Sequence, residues 1–93
     1  MKTSLVIPAL NEADIIGPLL SRIPPGVVDE VVVVDNGSTD DTAEAAVRAG
    51  ARVVTEPRRG YGSACWAGVA ACSPVTEVVV FLDGDGSQRP EEL

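Results

Sequence analysis

The sequence predicts an α/β fold: a mainly parallel sheet with helices on both faces. Three observations carry the expectation. The runs Val31–Val34 and Val78–Leu82 are uniformly apolar, as in strands buried on both sides. The segments between such runs place apolar residues at helical spacing, and strand and helix alternate along the chain. Each strand candidate also ends in a polar loop, several of them glycine-rich.

The elements follow in order. Ser4–Ile7 reads as a first strand that Pro8 ends with a bend, and Ile15, Ile16, Leu19, Leu20 and Ile23 mark one face of a helix over Glu12–Ile23. Asn11 suits the N-cap, and Pro24-Pro25-Gly26 stops the helix. Val27–Val34 is the second strand, and Asp35–Asp41 is a loop in which Ser38, Thr39 and Thr42 are expected to act as caps. An alanine-rich helix over Thr42–Ala49 closes at Gly50. Arg52–Thr55 is the third strand, Glu56–Gly62 a loop, Ser63–Cys72 a helix and Val78–Leu82 the fourth strand.

The order βαβαβαβ with right-handed crossovers gives a Rossmann-like, three-layer αβα sandwich as one domain over residues 1–93. Pro90-Glu91-Glu92-Leu93 reads as the first turn of a further helix, so the sheet is expected to be cut short after its fourth strand. The face left open there would favour self-association.

Composition narrows the function classes. A net charge of −7 argues against nucleic-acid backbones as partners. The absence of histidine removes Ser/His/Asp chemistry and imidazole ligation. Cys65 and Cys72 lie seven apart on one helix and read as buried, reduced thiols. Tyr61 and Trp66 read as packing residues. No apolar run reaches the length of a membrane span, which points to a cytoplasmic domain. A lipid acceptor or a further segment could hold it at the inner membrane surface.

The chemistry concentrates in the strand-end loops. Asp83-Gly84-Asp85-Gly86-Ser87 sets two carboxylates one residue apart beyond an apolar strand, and hard oxygen donors there suit Mg²⁺ or Mn²⁺ bridged to phosphates. Pro8–Glu12 and Asp35–Asp41 should meet them at the same sheet edge, where open α/β sheets bind ligands. A carboxylate ending the second strand can accept hydrogen bonds from a ribose or a base.

Taken together, Val6-Ile7-Pro8-Ala9-Leu10-Asn11-Glu12, Val33-Val34-Asp35-Asn36-Gly37-Ser38-Thr39-Asp40-Asp41-Thr42, Arg59-Gly60-Tyr61-Gly62-Ser63-Ala64 and Phe81-Leu82-Asp83-Gly84-Asp85 resemble the nucleotide-binding half of family-two glycosyltransferases of the GT-A fold. The pattern is similar to that of dolichyl-phosphate mannose synthase-like enzymes. The resemblance implies a hexosyltransferase that moves a sugar from a UDP- or GDP-linked donor to an acceptor, polyprenyl phosphate or another sugar, with inversion. It implies that Pro8, Leu10, Glu12, Asp35, Arg58, Arg59, Gly60, Asp83 and Gly84 bind the nucleotide. Asp85, Asp83 and Ser87 would hold Mg²⁺ or Mn²⁺, and the catalytic base would lie beyond Leu93.

Three positions depart from the family pattern. Leu10 replaces a frequent tyrosine, Ser87 a glutamine that helps hold metal, and Asn36 a frequent second aspartate, the last expected to have little chemical consequence. Two other readings compete. Asp83-Gly84-Asp85 also resembles the nucleophile motif of haloacid dehalogenase-like phosphatases, and a non-catalytic nucleotide-binding or oligomerising fragment needs no catalytic base.

Overall fold

The computed structural model describes residues 2–84 and 89–92. Strands β1 (Thr3–Ala9), β2 (Glu30–Asp35), β3 (Arg52–Thr55) and β4 (Val78–Phe81) alternate with helices α1 (Ala13–Ser21), α2 (Thr42–Arg48) and α3 (Tyr61–Ala71), and a 3₁₀ turn covers Pro90–Glu92. The sheet order is β3-β2-β1-β4, with every neighbouring pair parallel.

Side-chain alternation along the strands builds two cores. Leu5, Ile7 and Ala9 of β1 and Val33 of β2 join Ile16, Leu19 and Leu20 of α1 and Ala46 of α2 on one face. Val6, Val32 and Val34 pack with Ala64 of α3 on the other. The central strands are therefore apolar on both sides and show no polar alternation.

The helix layers explain the strand order. Crossovers through α1 and α2 carry the chain from β1 outward to β3 along one face. The crossover through α3 returns it across the opposite face to β4, beside β1. The direction of winding thus reverses between β1 and β4, and such a reversal opens a crevice at the carboxyl ends of the strands. Gly68 lets α3 settle close to the sheet, since a methyl group there would collide with Cγ1 of Val6.

Several boundaries differ from the sequence reading. Pro8 does not end β1; it pairs with Val34 and the strand runs on to Ala9. Its carbonyl accepts the Gly84 N–H at 3.2 Å, so its missing N–H faces the same side, past Phe81 where the β4 ladder stops. Proline has no N–H to give to β4, so the regular ladder stops at Phe81 although the Leu82 and Gly84 N–H groups still reach the carbonyls of Val6 and Pro8. Helix α1 begins at Ala13 and gives way at Arg22, and β2 starts only at Glu30.

At the amino end of the sheet the buried Ser4 hydroxyl donates to Oε1 of Glu30 at 2.6 Å. Ser73 N–H reaches the same oxygen at 2.7 Å. These bonds, the Ser4 bond first, hold the Glu30 carboxyl below its ordinary range. Arg22 pairs with Glu91 at 2.8 and 2.9 Å, tying the 3₁₀ turn to the end of α1. No helix among the described residues is long and apolar enough to cross a membrane.

Candidate donor-binding site

A cavity of about 570 Å³ opens at the β1/β4 reversal. Pro8, Ala9, Leu10 and Glu12 enter it from the end of β1, Asn36 from β2, and Asp83 and Gly84 from β4. Arg59, Gly60, Tyr61 and Ala64 close it from the start of α3.

Strand alternation decides which residues reach this cavity. Val32 and Val34 face α3, so the next residue of that parity, Asn36, turns toward the cavity, whereas Asp35 follows Val33 toward α1 and α2. Asp35 lies outside the cavity wall, and its Oδ1 accepts the Ser38 N–H at 2.9 Å, which closes the loop. Arg58 also lies outside the wall, with a largely exposed guanidinium 3.6 Å from Glu56. Pro8, Leu10, Glu12, Arg59, Gly60, Asp83 and Gly84 are brought together as the sequence suggested. Asp85 and Ser87 lie outside the described residues.

Asn36 is the residue that sequence reasoning undervalued. It is 7% exposed, and Nδ2 donates to the carbonyls of Glu56 and Arg58, each at 2.8 Å. Its Oδ1 accepts the Gly60 N–H at 3.2 Å. One amide thus spans the β3–α3 loop with two donors and an acceptor, a set that aspartate cannot supply. The expectation that this position has little chemical consequence is therefore corrected. Gly60 takes φ 118°, a left-handed conformation that favours glycine, as the chain enters α3.

The loops after β1 and β2 are tied together. Asn11 is not an N-cap: it sits at φ 54°, its N–H donates to Ser38 Oγ at 2.9 Å, and its Oδ1 accepts the Thr39 N–H at 2.8 Å. Thr42 and Asp40 satisfy the start of α1 from the neighbouring loop. Thr42 Oγ1 accepts the Glu12 N–H at 2.9 Å, and Asp40 accepts the Ala13 N–H at 3.2 Å. The Thr42 hydroxyl makes a short bond to Asp40, and this bond comes first among the causes that hold the Asp40 carboxyl below its ordinary range. The expected caps are thus links between loops, which fix Glu12 at the cavity edge.

Neither aromatic residue of α3 is a packing residue, because Tyr61 is 59% and Trp66 is 69% exposed. Tyr61 instead forms part of the cavity wall. Its phenol is raised above its ordinary range, first by a hydrogen bond with Cys65, then by desolvation, and further by the Asp83 carboxylate. It therefore stays protonated near neutral pH. Cys65 and Cys72 are free and half-buried.

Among the described residues, no three metal-ligating side chains cluster. The Asp83 carboxylate at the cavity wall nevertheless fits Mg²⁺ or Mn²⁺, which are held by one or two carboxylates together with substrate phosphates.

Comparison with known proteins gives the same picture. Residues 4–93 match the family model for glycosyl transferase family 2. The chain is 49% identical over 90 residues to an uncharacterized glycosyltransferase of Mycobacterium tuberculosis, covering 97% of this chain and 39% of that protein. It is 46% identical to the glucosyl-3-phosphoglycerate synthase of Mycolicibacterium paratuberculosis, covering 88% of this chain and 28% of that protein. Among solved structures it is similar to the Mycobacterium tuberculosis glucosyl-3-phosphoglycerate synthase crystallised with Mn²⁺, UDP-glucose and phosphoglyceric acid. That match has a TM-score of 0.80 at 42% identity and covers 89% of this chain and 33% of the other. The same enzyme has been crystallised with Mg²⁺ and UDP. A phosphatase reading of Asp83 has no counterpart among these relatives. With a parallel GT-A sheet, a crevice at its winding reversal and a family match over nearly its whole length, the chain belongs to glycosyl transferase family 2.

Proposed function

We propose that residues 1–93 form the donor-binding part of a glycosyltransferase that moves a hexose from a UDP-sugar with the help of Mg²⁺ or Mn²⁺. The observation that carries this reading is the convergence of Pro8–Glu12, Arg59–Tyr61 and Asp83–Gly84 on one cavity at the winding reversal. Pro8, Ala9 and Leu10 offer an apolar wall to the nucleoside, and Glu12 offers a carboxylate to base or ribose hydroxyls. Arg59 faces the diphosphate, and Asp83 serves ribose or metal. A bound divalent ion would neutralise the charge that grows on the leaving diphosphate.

For the acceptor, the related synthases named above support a phosphorylated hydroxy acid such as phosphoglyceric acid over the polyprenyl phosphate expected from the sequence. The chain spans 39% or less of these curated relatives, so the acceptor side and the base are assigned to the remainder of such a protein.

Calorimetric titration of UDP and GDP, with and without Mn²⁺, tests the donor reading in the wild type and Asp83→Asn. UDP should bind more tightly with Mn²⁺, and Asp83→Asn should weaken it by about tenfold or more. No binding, or binding indifferent to metal, would overturn it. UDP release from UDP-glucose that needs phosphoglyceric acid supports the hydroxy-acid acceptor; release that needs polyprenyl phosphate supports the lipid. The anomeric configuration of the product tests the expected inversion.

A further inference from the structure

Arg59 is the arginine of the cavity wall, and neither the Arg22–Glu91 nor the Arg58–Glu56 ion pair involves it. Its place is set by two adjacent residues of the β2–α2 loop. Asn36 fixes the backbone on either side of it by accepting from Gly60 N–H and donating to the Arg58 and Glu56 carbonyls. Gly37 lies against the side chain. A methyl group at Gly37 would sit 3.4 Å from Nε and 3.9 Å from Cζ of Arg59, so the guanidinium rests over a bare stretch of backbone. Gly37 also holds φ 94°, where any other residue is strained.

A long flexible side chain loses much rotamer freedom when it is held in one place. A loop that fixes both its backbone and its resting surface lowers the cost of ordering it around a ligand. The same cavity wall carries the carboxylates of Glu12 and Asp83. An exposed cation in such a wall favours an anionic ligand portion, and a planar guanidinium suits phosphate oxygens.

We propose that Asn36 and Gly37 are positioning residues for Arg59, which they hold ready at the cavity wall to receive the diphosphate of a nucleotide donor. The inference rests on the donor-site reading above. It adds that the Asn-Gly pair after Asp35 acts on phosphate recognition through Arg59.

The test compares UDP with uridine, both titrated with Mn²⁺ present, because only UDP carries the phosphates. Asn36→Asp keeps the size of the side chain and the acceptor for Gly60 but supplies no donor to the two carbonyls. Gly37→Ala keeps the Asn36 amide, sets a methyl group against the guanidinium and strains the loop at φ 94°. Each should weaken UDP by about tenfold while leaving uridine within about twofold. Arg59→Ala should give a loss of the same kind, and adding it to Asn36→Asp should cost little more, since both remove one interaction. Arg59→Lys should retain part of the UDP preference.

The inference is overturned if the Asn36→Asp and Arg59→Ala losses multiply, or if Asn36→Asp weakens uridine as much as UDP. It also fails if both Asn36→Asp and Gly37→Ala leave UDP binding intact while Arg59→Ala lowers it; the donor-site reading then stands. Absence of UDP binding in the wild type removes the donor-site reading and this inference together. Asn36→Asp and Gly37→Ala are compared at a temperature where circular dichroism shows both folded, and Gly37→Ala gives a second line of evidence that keeps the Asn36 amide.

Discussion

Gly84 donates its N–H to the carbonyl of Pro8 at 3.2 Å, and a Cβ at position 84 would stand 2.8 Å from that same oxygen. The last described residue of the Asp83–Gly84 loop is thus seated on β1 with no room for a side chain, and the contact brings Asp83 beside the Pro8–Glu12 wall. Gly84→Ala should destabilise the fold by about 1–3 kcal/mol through overpacking. It should also weaken UDP. Urea unfolding and a UDP titration check the two effects, and an unchanged midpoint would refute the close-approach argument.

Gly68 plays the same part for α3. A methyl group there collides with Val6 and approaches Val34 Cγ2 at 3.1 Å, and both valines are fully buried. Gly68→Ala should cost about 1–3 kcal/mol despite alanine's better helix propensity. Combining it with Val6→Ala should cost less than the two changes added, because the second opens the space that the first needs. Additive losses in denaturant titrations would show that the helix is spaced by something else.

The Thr42 hydroxyl is wholly buried between Glu12 N–H and Asp40. Thr42→Val keeps the shape and removes both bonds, so a loss of about 1–3 kcal/mol is expected in unfolding. UDP affinity should fall too, since Glu12 loses its anchor. Retained affinity with lowered stability would separate the loop link from the site.

Glu30 makes stability depend on pH. Its carboxyl is lowered in the fold, first by Ser4 and then by the Ser73 N–H. A lowered carboxyl contributes stability that is present above the ordinary value of about 4.3 and is lost as pH falls from there through its folded value. Glu30→Gln should therefore flatten part of the acid limb when melting temperature is followed from about pH 7 down to pH 3. Identical acid limbs in wild type and variant would disprove the assignment.

The sequence by itself determined the order of strands and helices, the parallel sheet and the edge at which the loops gather, because continuous apolar runs and helical spacing are local properties. It also singled out Pro8, Leu10, Glu12, Arg59, Gly60, Asp83 and Gly84, which do share one cavity. It undervalued Asn36 beside Asp35: alternation along β2 turns Asp35 toward α1 and α2, where it bonds Ser38, and brings the amide of Asn36 to the cavity. Tyr61 was missed as a wall residue, because an aromatic residue in an apolar helix reads as core until the exposed start of α3 is placed against the crevice. The role of Ser38, Asp40 and Thr42 in holding the first loop was likewise invisible, since their partners lie about 30 residues away. Which residue caps which helix, and which face of a strand meets the ligand, depend on neighbours that only the packed sheet brings within hydrogen-bond reach.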